Sequence, residues 1–218
     1  MNRTWLRTLP AYLAAAGVAV YLLFAVLAYS RYPANFSPMN NNWLSDLGNR
    51  NLNPAGADFY VWGCIAAGVI VGAFFVSLTA WRASGSRIQN WLLLAVQATG
   101  GVAAFSLVMS AVYTEDQFEA HQFWSRFVSG GFAMAMFMAP FALRRVGRSS
   151  AVLIAVAAGG YVSIVARFIF DSAHWIEWPS ITLILVFVSW VGWMSATRNR
   201  VRSLETPRPM AGALKPEV

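Results

Sequence analysis

The chain has 218 residues, 58% of them hydrophobic and only 11% charged. A soluble domain carries roughly 25% charged residues, so this composition excludes an ordinary water-soluble globule. The net charge of +7 does not point to nucleic acid, because the basic residues sit in short clusters at the ends of apolar runs, which is a topology signal. The single cysteine, Cys64, excludes an internal disulfide and a cysteine-based zinc site.

In chain order, Arg3 and Arg7 precede a first apolar run. It is too long for a signal-peptide core, and Ser30, Arg31 and Tyr32 make a poor cleavage site, so it reads as a retained helix. Six segments have the roughly 20 residues needed to span a bilayer: 10–30, 58–81, 91–113, 121–143, 150–171 and 177–197. The expected fold is all-α, a polytopic membrane bundle of six transmembrane helices. The six-helix domain covers residues 1–203 and a disordered cytoplasmic tail covers 204–218. Arg3 and Arg7, Arg82 and Arg87, Arg144, Arg145 and Arg148, and Arg198, Arg200 and Arg202 all fall on one side of such a bundle. Asp46, Asp58, Glu115, Asp116, Glu119, Asp171 and Glu177 fall on the other. The positive-inside rule then places both termini in the cytoplasm and the protein in the cell inner membrane.

Between the first two spans lies a long outer segment, Tyr32–Asn49, rich in asparagine, proline, glycine and serine. It also carries Phe36, Trp43, Leu44 and Leu47, so a structured lid over the helix ends is expected. The pairs Gly100–Gly101, Gly130–Gly131 and Gly159–Gly160 read first as close helix packing and second as room for a ligand.

The polar residues gather at the outer ends. Arg167, Asp171 and His174 are spaced i, i+4, i+7, one face of a helix that continues that far. Arg126 stands in an otherwise apolar helix and calls for a buried acceptor. Arg126 and Arg167 together suit an anionic head group, or are neutralised by Asp46, Glu115, Asp116 or Asp171. Thr114 and Gln117 have capping-box spacing, and His121 and Ser125 share a helix face. The histidines and carboxylates lack specific metal-ligand spacing, so no metal and no cofactor is assigned. Acid–base work fits better, because a carboxylic acid at a low-dielectric boundary has its pKa raised and becomes a proton donor. The many aromatics near this end read as an interfacial belt, or as the lining of a pocket for a lipid or isoprenoid chain.

Tyr32 and Pro33, then Asn42, Trp43, Leu44, Ser45, Asp46, Leu47 and Gly48, then Asn53 through Ala57 form an ordered set of motifs. Glu115 and Asp116 with His121, and Ile176, Glu177 and Trp178, complete it. The set resembles the domain-of-unknown-function family numbered 998, bacterial and archaeal six-helix membrane proteins, over about residues 15–197. That family is distantly similar to eukaryotic membrane proteins linked to autophagy and to lipid remodelling, which implies a lipid context by analogy alone. The face of Arg167, Asp171 and His174 has no counterpart in it.

The expected function is an enzyme acting on a lipid-like or isoprenoid substrate by acid–base chemistry, with proton-initiated terpene cyclisation as one version. Asp46, Glu115, Asp116, His121 and Glu177 are the candidate catalytic residues. Arg126, Arg167, Asp171, His174, Trp43, Trp124 and Trp178 are the candidates for substrate binding. The alternative is a non-enzymatic transporter, sensor or partner subunit.

Overall fold

A computed structural model describes residues 4–33, 36–37, 42–84, 86–143, 149–169 and 174–205. The described residues form six α-helices: α1 Thr4–Tyr29, α2 Ala57–Ser77, α3 Arg87–Val112, α4 Phe118–Ala142, α5 Ser149–Ile169 and α6 His174–Glu205. Three short 3-10 helices join them, at Ser45–Gly48, Leu78–Ser84 and Glu115–Gln117. Four stretches are long and apolar enough to cross a membrane: Thr8–Tyr29, Ala57–Arg82, Arg87–Val112 and Ile176–Thr197. Within α5 the apolar stretch is shorter, Ala151–Ala166. Helix α4, at 25 residues, would extend roughly 37 Å at 1.5 Å per residue, but its first turns carry Glu119, His121, Gln122 and Arg126.

Each helix packs on its neighbours in sequence, and α6 closes the ring against α1. The two closing helices run antiparallel: Gly192 lies against Pro10, Ala11 and Ala14, while Ile181 and Leu185 line one groove with Tyr21 and Leu22. The start of α1 and the end of α6 therefore share one end of the bundle. The connection Ser45–Gly48, the α3–α4 junction and the start of α6 share the other, called the outer end below.

In lipid the hydrophobic effect does not drive helices together, so close packing through small residues matters most. A β-carbon on Gly100 would lie 2.3 Å from the Phe75 ring, and one on Gly131 would lie 2.8 Å from both Ala103 and the Thr99 carbonyl. At Gly160 it would meet Met136. Their partners Gly101 and Gly130 face open space, and Gly159 makes only ordinary contact. One glycine of each pair is thus a packing residue. The ring interior is filled by Phe74, Phe75, Met136, Phe187, Val188 and Met194, all essentially inaccessible.

The helices differ from the apolar runs mainly at their ends. Helix α1 starts at Thr4 and α6 runs on to Glu205, because polar residues continue a helix readily once it leaves the apolar layer. Residues 206–218 of the expected tail lie outside the described residues. The capping box forms at Ser86 and Gln89, which bond each other's backbone N–H at 3.3 and 3.0 Å. It does not form at Thr114 and Gln117. The Thr114 hydroxyl donates to the Asp116 carboxylate instead, a competing bond only two residues away.

Candidate functional site

The site begins with the segment between α1 and α2. Leu44, Ser45, Asp46, Leu47 and Gly48 are all buried, which makes this stretch a plug in the outer end of the ring. Two devices hold it there. Asn53 is wholly buried, and its amide donates to Leu47 O at 2.8 Å and Ala28 O at 3.2 Å, tying the plug to the end of α1. Gly56 must be glycine, since a β-carbon would stand 2.5 Å from Ala28 O. Phe36, half-buried beside Leu44 and Leu47 in the same cluster, packs edge-on against Tyr32 and Trp178.

The plug delivers Asp46 to the outer end of the bundle. One carboxylate oxygen, Oδ2, accepts from Trp43 N at 3.0 Å and from Asn42 Nδ2 at 2.9 Å. Across the gap stands Glu115, hydrogen-bonded to Asp46 and to Ser45. Burial first, and then the negative field and hydrogen bond of Asp46 and the field of Glu177, push the Glu115 carboxyl up to about 8. Two carboxyl groups this close do not both ionise, so at neutral pH Glu115 carries the proton and donates it toward Asp46. Glu177, also buried, accepts from Leu44 N at 2.6 Å. One residue of the plug thus contacts the first turn of α6 directly.

Glu115 and Glu177 border a cavity of about 60 Å³, and Asp46 stands behind Glu115. Ser45, Glu115, His121, Ser125 and Glu177 line it, and so do Tyr21, Tyr60 and Cys64. The Tyr21 and Tyr60 hydroxyls lie 3.1 Å apart. His121 Nδ1 lies 2.8 Å from Ser110 O and 2.9 Å from Tyr113 O. Both neighbours are acceptors, so Nδ1 must carry the hydrogen, which leaves Nε2 as the basic nitrogen. Among the described residues no group of three His, Cys, Asp or Glu side chains is placed to hold a metal ion.

Beside the polar cavity runs an apolar groove of about 300 Å³ between α1 and α6. Leu22, Val26, Leu44, Trp178 and Leu185 line it, and Tyr21 and Ile181 border both spaces. The groove and the acid cavity thus lie side by side, with Tyr21 and Ile181 between them.

Several expected site residues stand elsewhere. Asp116 is exposed and capped by Thr114. Arg126 is exposed, because it sits about 100° around α4 from Ser125 and off the face of His121, Ser125, Val128 and Ser129. It is not the buried cation expected opposite Asp46, whose described partners are amide, backbone and carboxyl groups. Trp124 packs with Phe105, Phe123 and Phe127 on the outer surface of α3 and α4, as an interfacial belt does. Trp43 is half-buried and serves Asp46 through its backbone. Trp178 lines the groove, with Nε1 3.5 Å from Asn42 O.

The face expected for Arg167, Asp171 and His174 falls where the described part of α5 ends, at Ile169, and that of α6 begins, at His174. Asp171 and the side chains of Arg167 and His174 lie outside the described residues.

The family described as "Protein of unknown function (DUF998)" matches residues 15–200. The chain belongs to it. No curated protein and no solved structure matches the chain. The DUF998 match takes in every element that builds the acid cavity, from Tyr21 on α1 to Glu177 on α6.

Tyr60 is one of the aromatics expected near the outer end as a belt or a pocket lining; Tyr21 and Cys64 escape sequence reasoning. Each stands within an apolar helix, where a tyrosine or cysteine looks like core. The one available signal is that a buried tyrosine hydroxyl needs a polar partner.

Proposed function

We propose that the protein spans the membrane six times with both termini in the cytoplasm, and that its outer cavity is the proton-transfer centre of an enzyme acting on a lipid-like or isoprenoid amphiphile. The observation that carries this reading is the hydrogen-bonded pair of buried Asp46 and half-buried Glu115, with Glu115 lining a cavity that lies beside an apolar groove. An acid held near pKa 8 is protonated at neutral pH and sits in the range that suits a general acid. Asn42 and the Trp43 N–H steady the Asp46 charge. Once Glu115 has given up its proton, its carboxylate faces Asp46 and Glu177, and that repulsion favours taking a proton back. His121, anchored through Nδ1, offers Nε2 as a relay.

Cavity size narrows the chemistry. About 60 Å³ admits a small reacting group or a few waters, with the chain left in the groove. Proton donation to one bond of an extended substrate is favoured on this ground. Cyclisation of a folded polyprenyl chain is the less supported version, because it needs an enclosed apolar pocket of roughly 300 Å³ or more around the whole chain.

The test is incubation of purified protein with a total membrane-lipid and isoprenoid extract, followed by mass spectrometry of the products. Wild type is expected to convert one component, and Glu115→Gln to lose at least about a hundredfold in rate, the usual scale for removing a general acid, while still folding. No converted component with wild type, together with poor expression of both Glu115→Gln and Asp46→Asn, would reduce the acid pair to a structural device.

A further inference from the structure

The end of the bundle opposite the acid cavity carries a second feature of different chemistry. A notch of about 440 Å³ between the end of α2 and the start of α3 is lined by Arg82, Arg87, Asn90, Trp91 and Leu94. We propose that it binds the head group of an anionic phospholipid. This proposal does not depend on the reaction assigned to the other end.

The notch is built to hold a guanidinium in place. Gln97 Nε2 on α3 lies 2.9 Å from Phe75 O, 3.0 Å from Val76 O and 2.9 Å from Thr79 Oγ1, and its two hydrogens shared among these acceptors pin the amide against the closing turn of α2. Its oxygen then accepts from Arg82 Nη2 at 2.9 Å. Arg82 is thus oriented by a neutral side chain and keeps its charge. Its Nε is buried and has no hydrogen-bond partner.

Charge balance points the same way. Among the described residues the ion pair found is Arg50–Asp58, at the outer end. Six acidic residues, Asp46, Asp58, Glu115, Asp116, Glu119 and Glu177, stand at the outer end, away from the notch. Arg82 and Arg87 therefore meet no carboxylate among the described residues. A phosphate diester, with oxygens spaced for guanidinium donors, supplies what the chain does not.

The surface below the notch selects a lipid over a soluble phosphate. Arg87, Trp91, Leu94, Val102 and Phe105 are all exposed on one side of α3. The cationic notch thus continues into an apolar track along the helix, with an exposed tryptophan at the boundary where membrane proteins favour it. An amphiphile with a negative head and an acyl chain matches both parts. Inorganic phosphate matches only the first.

Delipidated protein in a neutral detergent, titrated with phosphatidylglycerol, phosphatidylcholine and inorganic phosphate, tests this by native mass spectrometry. Phosphatidylglycerol is expected to bind more tightly than phosphatidylcholine and to be shed as salt rises. Arg87→Gln, an exposed change that leaves the core untouched, is expected to weaken phosphatidylglycerol about tenfold, the scale of one charged hydrogen bond, with phosphatidylcholine unaffected. Trp91→Ala should weaken the lipid and leave inorganic phosphate unchanged. Equal binding of the two lipids, or wild-type affinity in Arg87→Gln, overturns the proposal. Inorganic phosphate displacing phosphatidylglycerol from the notch at equal concentration would overturn its lipid part.

Discussion

Glu115 links the chemistry of the outer end to its stability. Its carboxyl is held at about 8 in the folded protein against an ordinary 4.5. Between these values the folded state binds the proton and the unfolded state does not. The stabilisation from this group is therefore complete below about pH 4.5 and lost as pH rises toward 8. In detergent, wild type should melt at progressively lower temperature across that interval. Glu115→Gln, which stays neutral and can still donate to Asp46, should flatten the profile; an unchanged slope in this variant would mean that another group sets it. Asn53 offers a second test. Removing its amide strips hydrogen bonds from two buried carbonyls, Leu47 O and Ala28 O. Asn53→Ala should cost roughly 2–4 kcal/mol, measured as a fall in unfolding free energy. Asn53 is a motif residue that lines neither the cavity nor the groove, and its contacts explain it as the anchor of the plug.

Among the elements, the glycines show how packing distinguishes neighbours that look alike in sequence. Gly100 meets the ring of Phe75, which is itself buried and stacked edge-on with Phe74. It has no room to retreat. Gly100→Ala is expected to destabilise by about 1–3 kcal/mol, the scale of core overpacking. Gly101→Ala meets nothing within 4 Å and should be neutral or stabilising by up to about 1 kcal/mol from helix propensity. Thermal melts of the two variants in one detergent decide this, and equal destabilisation would overturn the assigned contact. The plug follows a similar logic. Its apolar residues Leu44 and Leu47 were legible as anchors because a solvated loop does not need them. Trp43, just as apolar, stays half-buried and meets Asp46 through its backbone N–H.

For the whole molecule, the closed ring of six helices brings the start of α1 and the end of α6 to one side and the plug, the α3–α4 junction and the first turn of α6 to the other. The orientation proposed above then predicts opposite labelling of two exposed positions. In a Cys64→Ser background, Asn51→Cys should react with a membrane-impermeant maleimide on intact cells, and Ile88→Cys only after permeabilisation. The reverse pattern would invert the topology, and labelling of both from outside would break the six-span reading.

Sequence alone determined the fold class, the place of the helices and the end of the bundle at which the polar residues gather. Apolar run length and arginine placement follow from the cost of putting charge and unpaired backbone into hydrocarbon, and that cost is written residue by residue. It also singled out Asp46, Glu115, His121 and Glu177. What only the tertiary structure decided is which of the polar residues meet. A helix fixes neighbours three and four residues apart, whereas the rotation of one helix against another is set by side-chain packing across the ring. That rotation turns Arg126 outward and Ser125 inward, brings Tyr21 to Tyr60 across two helices, and sets an acid rather than an arginine opposite Asp46.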